Sequence, residues 1–363
     1  VQIQTLNFLV SFGNFTLVKH FSEVKLEDTS NKPLTNHKMS LNMKIVKISA
    51  QEVSLHPEDY NSNFHKAHEA PALLVPTEGP QSISRWLPLI AKSQNINPPR
   101  IQTIVLTPIQ GKLLFDASSR SIHTKTLNRQ YKEELEEEIE PVFSRLVFPP
   151  EGLFMRLNAC SPKDGKDGTR PLRSIADIVL RSTSSFRARN AIDAALHPEP
   201  HHVTGEVPVV EGINVYFLPF NDKMSAKHEY RVFCAPPIGE ITAASQYKWH
   251  TPLVFQDCHS MVEIDNILGE IWNGIKLVHA EIWSELGNRA MDLLLLEQGF
   301  SFDVMWKVDE QRCALIELNN FGARSGCGAC LFHWIKDMDV LYSRRAASYG
   351  KEKEIEFRIS VAL

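Results

Sequence analysis

Alternation of apolar and polar positions is clearest in the last third of the chain. Residues 300–306 (FSFDVMW) and 313–319 (CALIELN) each read as a strand, joined by a polar turn at Asp309 and Glu310. Side chains of a strand alternate between faces, so Phe302, Val304 and Trp306 share one face and Asp303 takes the other. On the second strand Ala314, Ile316 and Leu318 share a face, opposite Leu315, Glu317 and Asn319. Antiparallel pairing then gives one apolar face and one face that gathers Asp303, Glu317 and Asn319. Carboxylate and amide oxygens are hard ligands, suited to magnesium bound together with nucleotide phosphates. The pattern fits equally an amphipathic hairpin whose acids face water.

Upstream, helical spacing of apolar residues predicts helices over 126–146 and 172–196, the latter with Ile175, Ile178 and Val179 on one face. A longer helical stretch at 257–298 is expected to split near Gly287 and Asn288, and a last helix to run over 330–342. Strands are expected at 101–106 and 112–115 as a hairpin of a small N-terminal lobe, around Phe154, and at 212–218, 230–235 and 240–244. Residues 21–80 are polar and turn-rich, 82–92 hold an apolar patch interrupted by Pro88, and 163–171 read as a Gly-containing loop. The tail 351–363 starts charged and ends strand-like. No internal repeat is visible. The irregular order of strands and helices predicts an α+β class rather than a doubly wound parallel sheet. The expected division is a weakly ordered extension at 1–42, an N-terminal lobe at 43–150, a core carrying the site at 151–342 and a tail at 343–363.

Composition narrows the class. The 363 residues suggest two domains or one large bilobed one, and 43% hydrophobic with 23% charged residues is ordinary for a globular protein. A net charge of −4 gives no basic field for nucleic acid. Six cysteines without a disulfide-scaffold spacing fit a reducing compartment, so a cytoplasmic location is expected. No apolar run reaches the ~18 residues that a membrane-spanning helix needs. The first residues lack a basic start and a small-residue cleavage site. Residues 1–42 are expected to pack weakly or to be a gene-model extension, with Met39 or Met43 as the start.

Several polar residues invite a chemical reading. Arg156 lies mid-strand between Met155 and Leu157, where a charge needs a partner or faces a cleft; the bland alternative is a surface arginine on an edge strand. Ser161 and Lys163 follow in a loop whose backbone N–H groups and lysine could touch phosphate. Glu229 and Arg231 share a strand face and are expected as a structural ion pair at a cleft rim. The acid run at 132–140 reads as a solvated helix face. The histidines of 197–202 (HPEPHH) lack an acid or Cys spacing that would build a metal site. Cys327-Gly328-Ala329-Cys330 with His333 lacks the second pair that structural zinc requires and reads as a Gly-rich turn.

Taken in order, these pieces form a series. Phe154-Met155-Arg156-Leu157-Asn158 is followed by Ser161-Pro162-Lys163-Asp164, the segment 172–186, Glu229-Tyr230-Arg231-Val232-Phe233 and Ser245-Gln246. Phe302-Asp303, Ile316-Glu317-Leu318-Asn319-Asn320-Phe321-Gly322 and Leu331-Phe332-His333-Trp334 complete it. Over roughly residues 140–342 the series resembles the cell division cycle protein 123 family. An acid on one strand and Glu-x-Asn on the next resembles the metal-binding strands of the ATP-grasp superfamily. The resemblance implies an ATP-grasp fold with a nucleotide cleft between two α+β lobes, and ATP and Mg2+ as cofactors. It places Arg156 near the phosphates, Arg231 toward the nucleotide, Ser161 and Lys163 in the loop beside it, and Tyr216, Phe217 and Leu218 on the adenine-side strand. Asp303, Glu317 and Asn319 are implied to bind the magnesium.

It also implies an assembly chaperone for eukaryotic translation initiation factor 2, acting through that factor's gamma subunit, with no direct nucleic-acid or membrane contact. The other reading is an ATP-grasp ligase that joins a carboxylate to an amine or thiol through an acyl phosphate, with Lys248 and Arg324 as candidates for its acceptor pocket. The chain departs from the family at several positions. Arg156 stands where Lys is usual, Glu317 where Asp is usual and Asn320 where Pro is usual. Tyr247-Lys248-Trp249-His250-Thr251-Pro252 replaces an Arg-Asp-Tyr-rich segment, and the loop from Ala323 to Ala329 is unusual.

Overall fold

Strands far apart in the sequence share one open sheet. The computed structural model describes residues 5–12, 15–22, 42–71, 73, 75–198, 210, 212–257, 259–343 and 354–362. It divides into two units, Val1–Ser40 and Leu41–Leu363. In the first unit β1 (Thr5–Phe12) and β2 (Phe15–Ser22) pair antiparallel. The remaining expectations for 1–42, and those for His201 and His202, lie outside the described residues.

The second unit supplies the other strands. They are β3 (Asn42–Ser49), β4 (Gln102–Leu106), β5 (Leu153–Leu157), β6 (Ile213–Pro219) and β7 (Glu229–Ala235). Then come β8 (Glu240–Gln246), β9 (Phe300–Lys307), β10 (Arg312–Asn320) and β11 (Glu354–Val361). Its helices begin with α1 (Ala50–Leu55), α2 (Ile83–Gln94), α3 (Pro108–Thr124), α4 (Lys132–Glu138) and α5 (Glu140–Phe143). They continue with α6 (Ile175–Ser184), α7 (Phe186–Leu196), α8 (Met261–Glu285), α9 (Ala290–Gln298) and α10 (Met338–Leu341). The class is α+β.

A six-stranded sheet runs β10-β9-β7-β8-β11-β3, and a three-stranded one runs β4-β6-β5. In the large sheet β11 lies parallel to both β3 and β8, and the other pairings are antiparallel. The stretch expected as a tail thus lies inside the sheet, and the first residues of the expected N-terminal lobe form its edge.

The large sheet buries one face under α2, α8 and α9, where Tyr230, Val232, Phe302, Val304, Trp306 and Phe357 meet Trp86, Ile271 and Ile275. The small sheet buries Ile104, Met155, Val215 and Phe217 against α3, α6 and α7. The second face of the large sheet is partly covered by Phe321, Phe332, Trp334 and Leu341, packed on Phe233 and Ala243. Beside them the same face carries Glu229, Arg231, Asp303 and Glu317.

Four local expectations change, each for a physical reason. Residues 112–115 lie in α3, not in a strand. Thr107 and Gln110 form a reciprocal capping box with Pro108 in the first turn, which is a strong helix-start signal. The predicted helix at 126–146 breaks into α4 and α5, where an acid-rich turn repels itself and Pro141 lacks an N–H. Pro88 lies inside the continuous helix α2, because burial of Ile83, Trp86, Leu87 and Ile90 outweighs one lost hydrogen bond. The last helix shrinks to α10. Upstream of it, Asn61 N–H donates to Cys330 and Phe332 carbonyls, and Trp334 N–H donates to Ser62 Oγ at 2.8 Å, so these groups are not free for helix bonds.

Candidate functional site

The hairpin β9–β10 forms as expected, with one exception that decides its faces. Asp303 pairs with Glu317, and a bulge falls between Leu315 and Glu317. Strict alternation would put Leu315 beside Glu317. The extra residue at the bulge resets the alternation, so Cys313, Leu315 and Leu318 all face the main core while Glu317 remains on the charged face.

Three charged residues stand in one row across adjacent strands, because Arg231 pairs with Asp303 and Asp303 with Glu317. Arg231 grips Asp303 as a fork, with Nε to Oδ1 at 2.8 Å and Nη2 to Oδ2 at 2.7 Å. Its Nη1 donates to the Gly328 carbonyl at 2.8 Å and so holds the loop before Cys330 against the row. The Tyr247 ring covers the guanidinium at 5.1 Å. Asn319 Nδ2 donates to Asp303 Oδ2 at 3.1 Å. Both arginine and aspartate are buried, and two-pronged pairing is what such a buried pair requires.

A second pair joins the two sheets. Arg156, on edge strand β5 of the small sheet, lies 2.5 Å from Glu317 Oε2 on edge strand β10 of the large one. The arginine is buried, and its Nε has no partner among the described residues. Burial pushes the Glu317 carboxyl up, but Arg156, Lys163 and Arg231 outweigh it and hold its pKa at about 2. Burial, reinforced by Glu317 and opposed by the Arg231 fork, raises Asp303.

Lys163 is exposed and its charge reaches Glu229, Asp303 and Glu317. It rides on a loop that is pinned from beneath. Buried Arg181 donates to the carbonyls of Lys166, Asp167 and Arg170, and Lys125 to those of Asp164 (2.9 Å) and Ser184 (2.8 Å). The Asp164 carboxylate caps α7 through Phe186 N–H at 2.8 Å. Within the loop, Lys163 N–H bonds the Ser161 carbonyl and Gly165 N–H bonds the Pro162 carbonyl. Those two amides are used internally, so the lysine ammonium is the loop's main offering to an anion. Ser161 itself is buried. A Cβ at Gly168 would fall 2.0 Å from the Lys163 carbonyl oxygen, so Gly168→Ala must displace this turn. If Lys163 meets an anionic ligand, that variant binds it about tenfold more weakly, roughly 1.4 kcal/mol, in a calorimetric titration.

The expected adenine-side strand is the middle strand of the small sheet. Tyr216 and Leu218 belong to the main core, whereas Phe217 points the opposite way into the second core. Ladders with β4 and β5 occupy both sides of its backbone over Val215–Phe217. The three side chains therefore do not line one pocket together. Arg324, considered for an acceptor pocket, donates to the Leu73 carbonyl at 3.0 Å. Cys327 and Cys330 are buried free thiols, and Cys327 Sγ lies 3.1 Å from Ser301 Oγ.

Sequence reading placed Glu229 beside Arg231 but missed its state. It is 7% exposed, shares the charged face and makes no side-chain hydrogen bond or ion pair among the described residues. Burial raises its pKa to about 7, Asp303 and Glu317 push the same way, and Lys163 and Arg231 oppose them. An acid with a raised folded pKa binds its proton more tightly in the folded chain. The penalty is absent below the ordinary value of 4.5 and complete above about 7. Glu229→Gln therefore stabilises the protein by up to about 3 kcal/mol at pH 8 and by little at pH 4.5, read by urea unfolding at both pH values.

The residues suit a magnesium ion that arrives with phosphates. Such an ion needs only one or two protein carboxylates. Among the described residues no group of three or more His, Cys, Asp or Glu converges as a metal cage. Asp303 has both oxygens engaged, whereas Glu317 has only Oε2 paired and Asn319 turns its N–H2 end to Asp303. Glu317 and Asn319 are thus the ready oxygen donors, with Asp303 holding Arg231. No helix among the described residues is long and apolar enough to cross a membrane.

No family model matches the chain, and no curated protein matches it. Among solved structures the chain is similar to Cdc123 from Schizosaccharomyces pombe, at 17% identity and a TM-score of 0.48, over 80% of this chain and 100% of that one. It is also similar to C-terminally truncated Cdc123 from the same organism, at 18% identity and a TM-score of 0.48, over 78% of this chain and 99% of that one.

Proposed function

We propose that the charged seam between the two sheets binds ATP with magnesium, as in an ATP-grasp protein. The observation that carries this is the cross-sheet arrangement of Arg156, Arg231 and Lys163 around Asp303, Glu317 and Asn319. A nucleotide triphosphate needs several cationic donors together with hard oxygen ligands for its metal. Arg156 and Lys163 would meet the phosphates. Glu317 and Asn319 would hold the ion, which supplies charge neutralisation at the phosphate oxygens.

On this reading the ordered motifs from Phe154 to Trp334 support an assembly chaperone for translation initiation factor 2 that contacts its gamma subunit. ATP would then act as a structural or switching ligand. Arg324 uses only its Nη1 on the Leu73 carbonyl, so the ligase reading keeps both of its candidate cations and is separated from the chaperone by experiment. The test is a thermal-shift titration with Mg–ATP and an ADP-release assay on the same sample, followed by a pull-down with the gamma subunit. A raised melting temperature without ADP, and capture of the subunit, is the expected result. ADP release stimulated by carboxylates and amines would overturn the chaperone reading in favour of the ligase.

A further inference from the structure

Three carboxylates feel one another in the seam, and only one is uncommitted. Asp303 has Arg231 on both oxygens and Asn319 on one. Glu317 has Arg156. Glu229 sits two residues from Arg231 on the same strand face, opposite Met305, and is nine-tenths buried with no hydrogen-bond or ion-pair partner among the described residues. Its carboxylate oxygens are not fully enclosed, but burial of the residue still makes its negative charge costly. A triphosphate cannot relieve that cost, because its oxygens only accept hydrogen bonds and carry the same sign of charge. What relieves it is a cation or a hydrogen-bond donor. Magnesium retains several waters when it binds through one or two carboxylates, and those waters donate.

We propose that Glu229 serves the divalent cation of the bound metal–nucleotide complex, accepting hydrogen bonds from water held on that ion. This rests on the nucleotide reading above and adds to it a residue that neither the hairpin pattern nor the motif series assigns to the metal. Lys163, whose charge lies close enough to act on Glu229, balances the carboxylate before the ion arrives. The role gives a signature that a structural role lacks. Removing the charge takes an anchor from the ion and also a repulsion from the phosphates.

The test is the ratio of ATP dissociation constants measured by calorimetry in EDTA and in magnesium, for wild type, Glu229→Gln and Glu229→Asp. For Glu229→Gln the account expects magnesium-dependent ATP binding to weaken about tenfold and metal-free ATP binding to tighten severalfold, so the ratio collapses. Glu229→Asp restores most of it by returning the charge. Equal weakening with and without metal would overturn the proposal and mark a contact to a ribose or base donor. An unchanged ratio with altered melting temperature would also overturn it and mark a structural residue. If wild type binds no ATP under either condition, the nucleotide reading itself falls first.

Discussion

Arg231→Met lowers the unfolding free energy by about 3–5 kcal/mol, because it leaves the Asp303 carboxylate buried without its counter-ion. Asp303 is 1% exposed, and both of its oxygens depend on the Arg231 fork. The same substitution releases the Gly328 carbonyl and removes the cation beneath Tyr247. Adding Asp303→Asn to Arg231→Met returns part of the loss, since a buried amide costs far less than a buried charge. Urea unfolding of the two single variants and the double variant measures this as a thermodynamic cycle, which isolates the pair energy from each truncation. A loss under about 1 kcal/mol for Arg231→Met would mean that water reaches Asp303 and that the row is a surface feature.

Glu317→Gln weakens magnesium-dependent ATP binding about a hundredfold, near 2.7 kcal/mol, while binding in EDTA changes little. Glutamine keeps an acceptor for Arg156 but loses the charge that faces the ion. The pair also contributes stability. Glu317 has its folded pKa depressed to about 2, so its contribution is complete above the ordinary 4.5 and is lost as pH falls toward 2. Unfolding followed from pH 6 to pH 2 therefore shows a steeper acid loss in wild type than in Glu317→Gln. Equal magnesium dependence in the two proteins would remove Glu317 from the ion.

Much of this site was legible in the strand pattern. Alternation alone put Asp303 opposite Phe302 and Val304, and Glu229 on the face of Arg231. The motif series singles out Arg156, Lys163 and Glu317 from the sequence alone. What remained hidden was pairing at a distance. Arg231 and Asp303 lie 72 positions apart, and only the order β9-β7 in the sheet sets them side by side. The tie of Arg156 to Glu317 depends in the same way on how two sheet edges meet.

The bulge before Glu317 left no clear sequence mark, since Leu315 and Ile316 are equally apolar. Its consequence for Leu315 could only be seen in three dimensions. At α3 the signal was present but was outweighed by the run Leu113-Leu114-Phe115, which read as a strand. Thr107-Pro108 with Gln110 was the better guide. The place of β11 was illegible for another reason. A parallel strand between β8 and β3 gives no local sign of its partners, and its eight residues read as a tail.

The most direct test of a nucleotide site in this seam is a calorimetric titration of ATP, with magnesium and with EDTA, on wild type and Lys163→Ala. Lys163 is exposed on a loop held by other residues, so removing its side chain leaves the fold intact. The account predicts magnesium-dependent binding by wild type, weakened at least tenfold in Lys163→Ala with an unchanged melting temperature. Absence of binding by wild type, or equal binding by the two proteins, would contradict it.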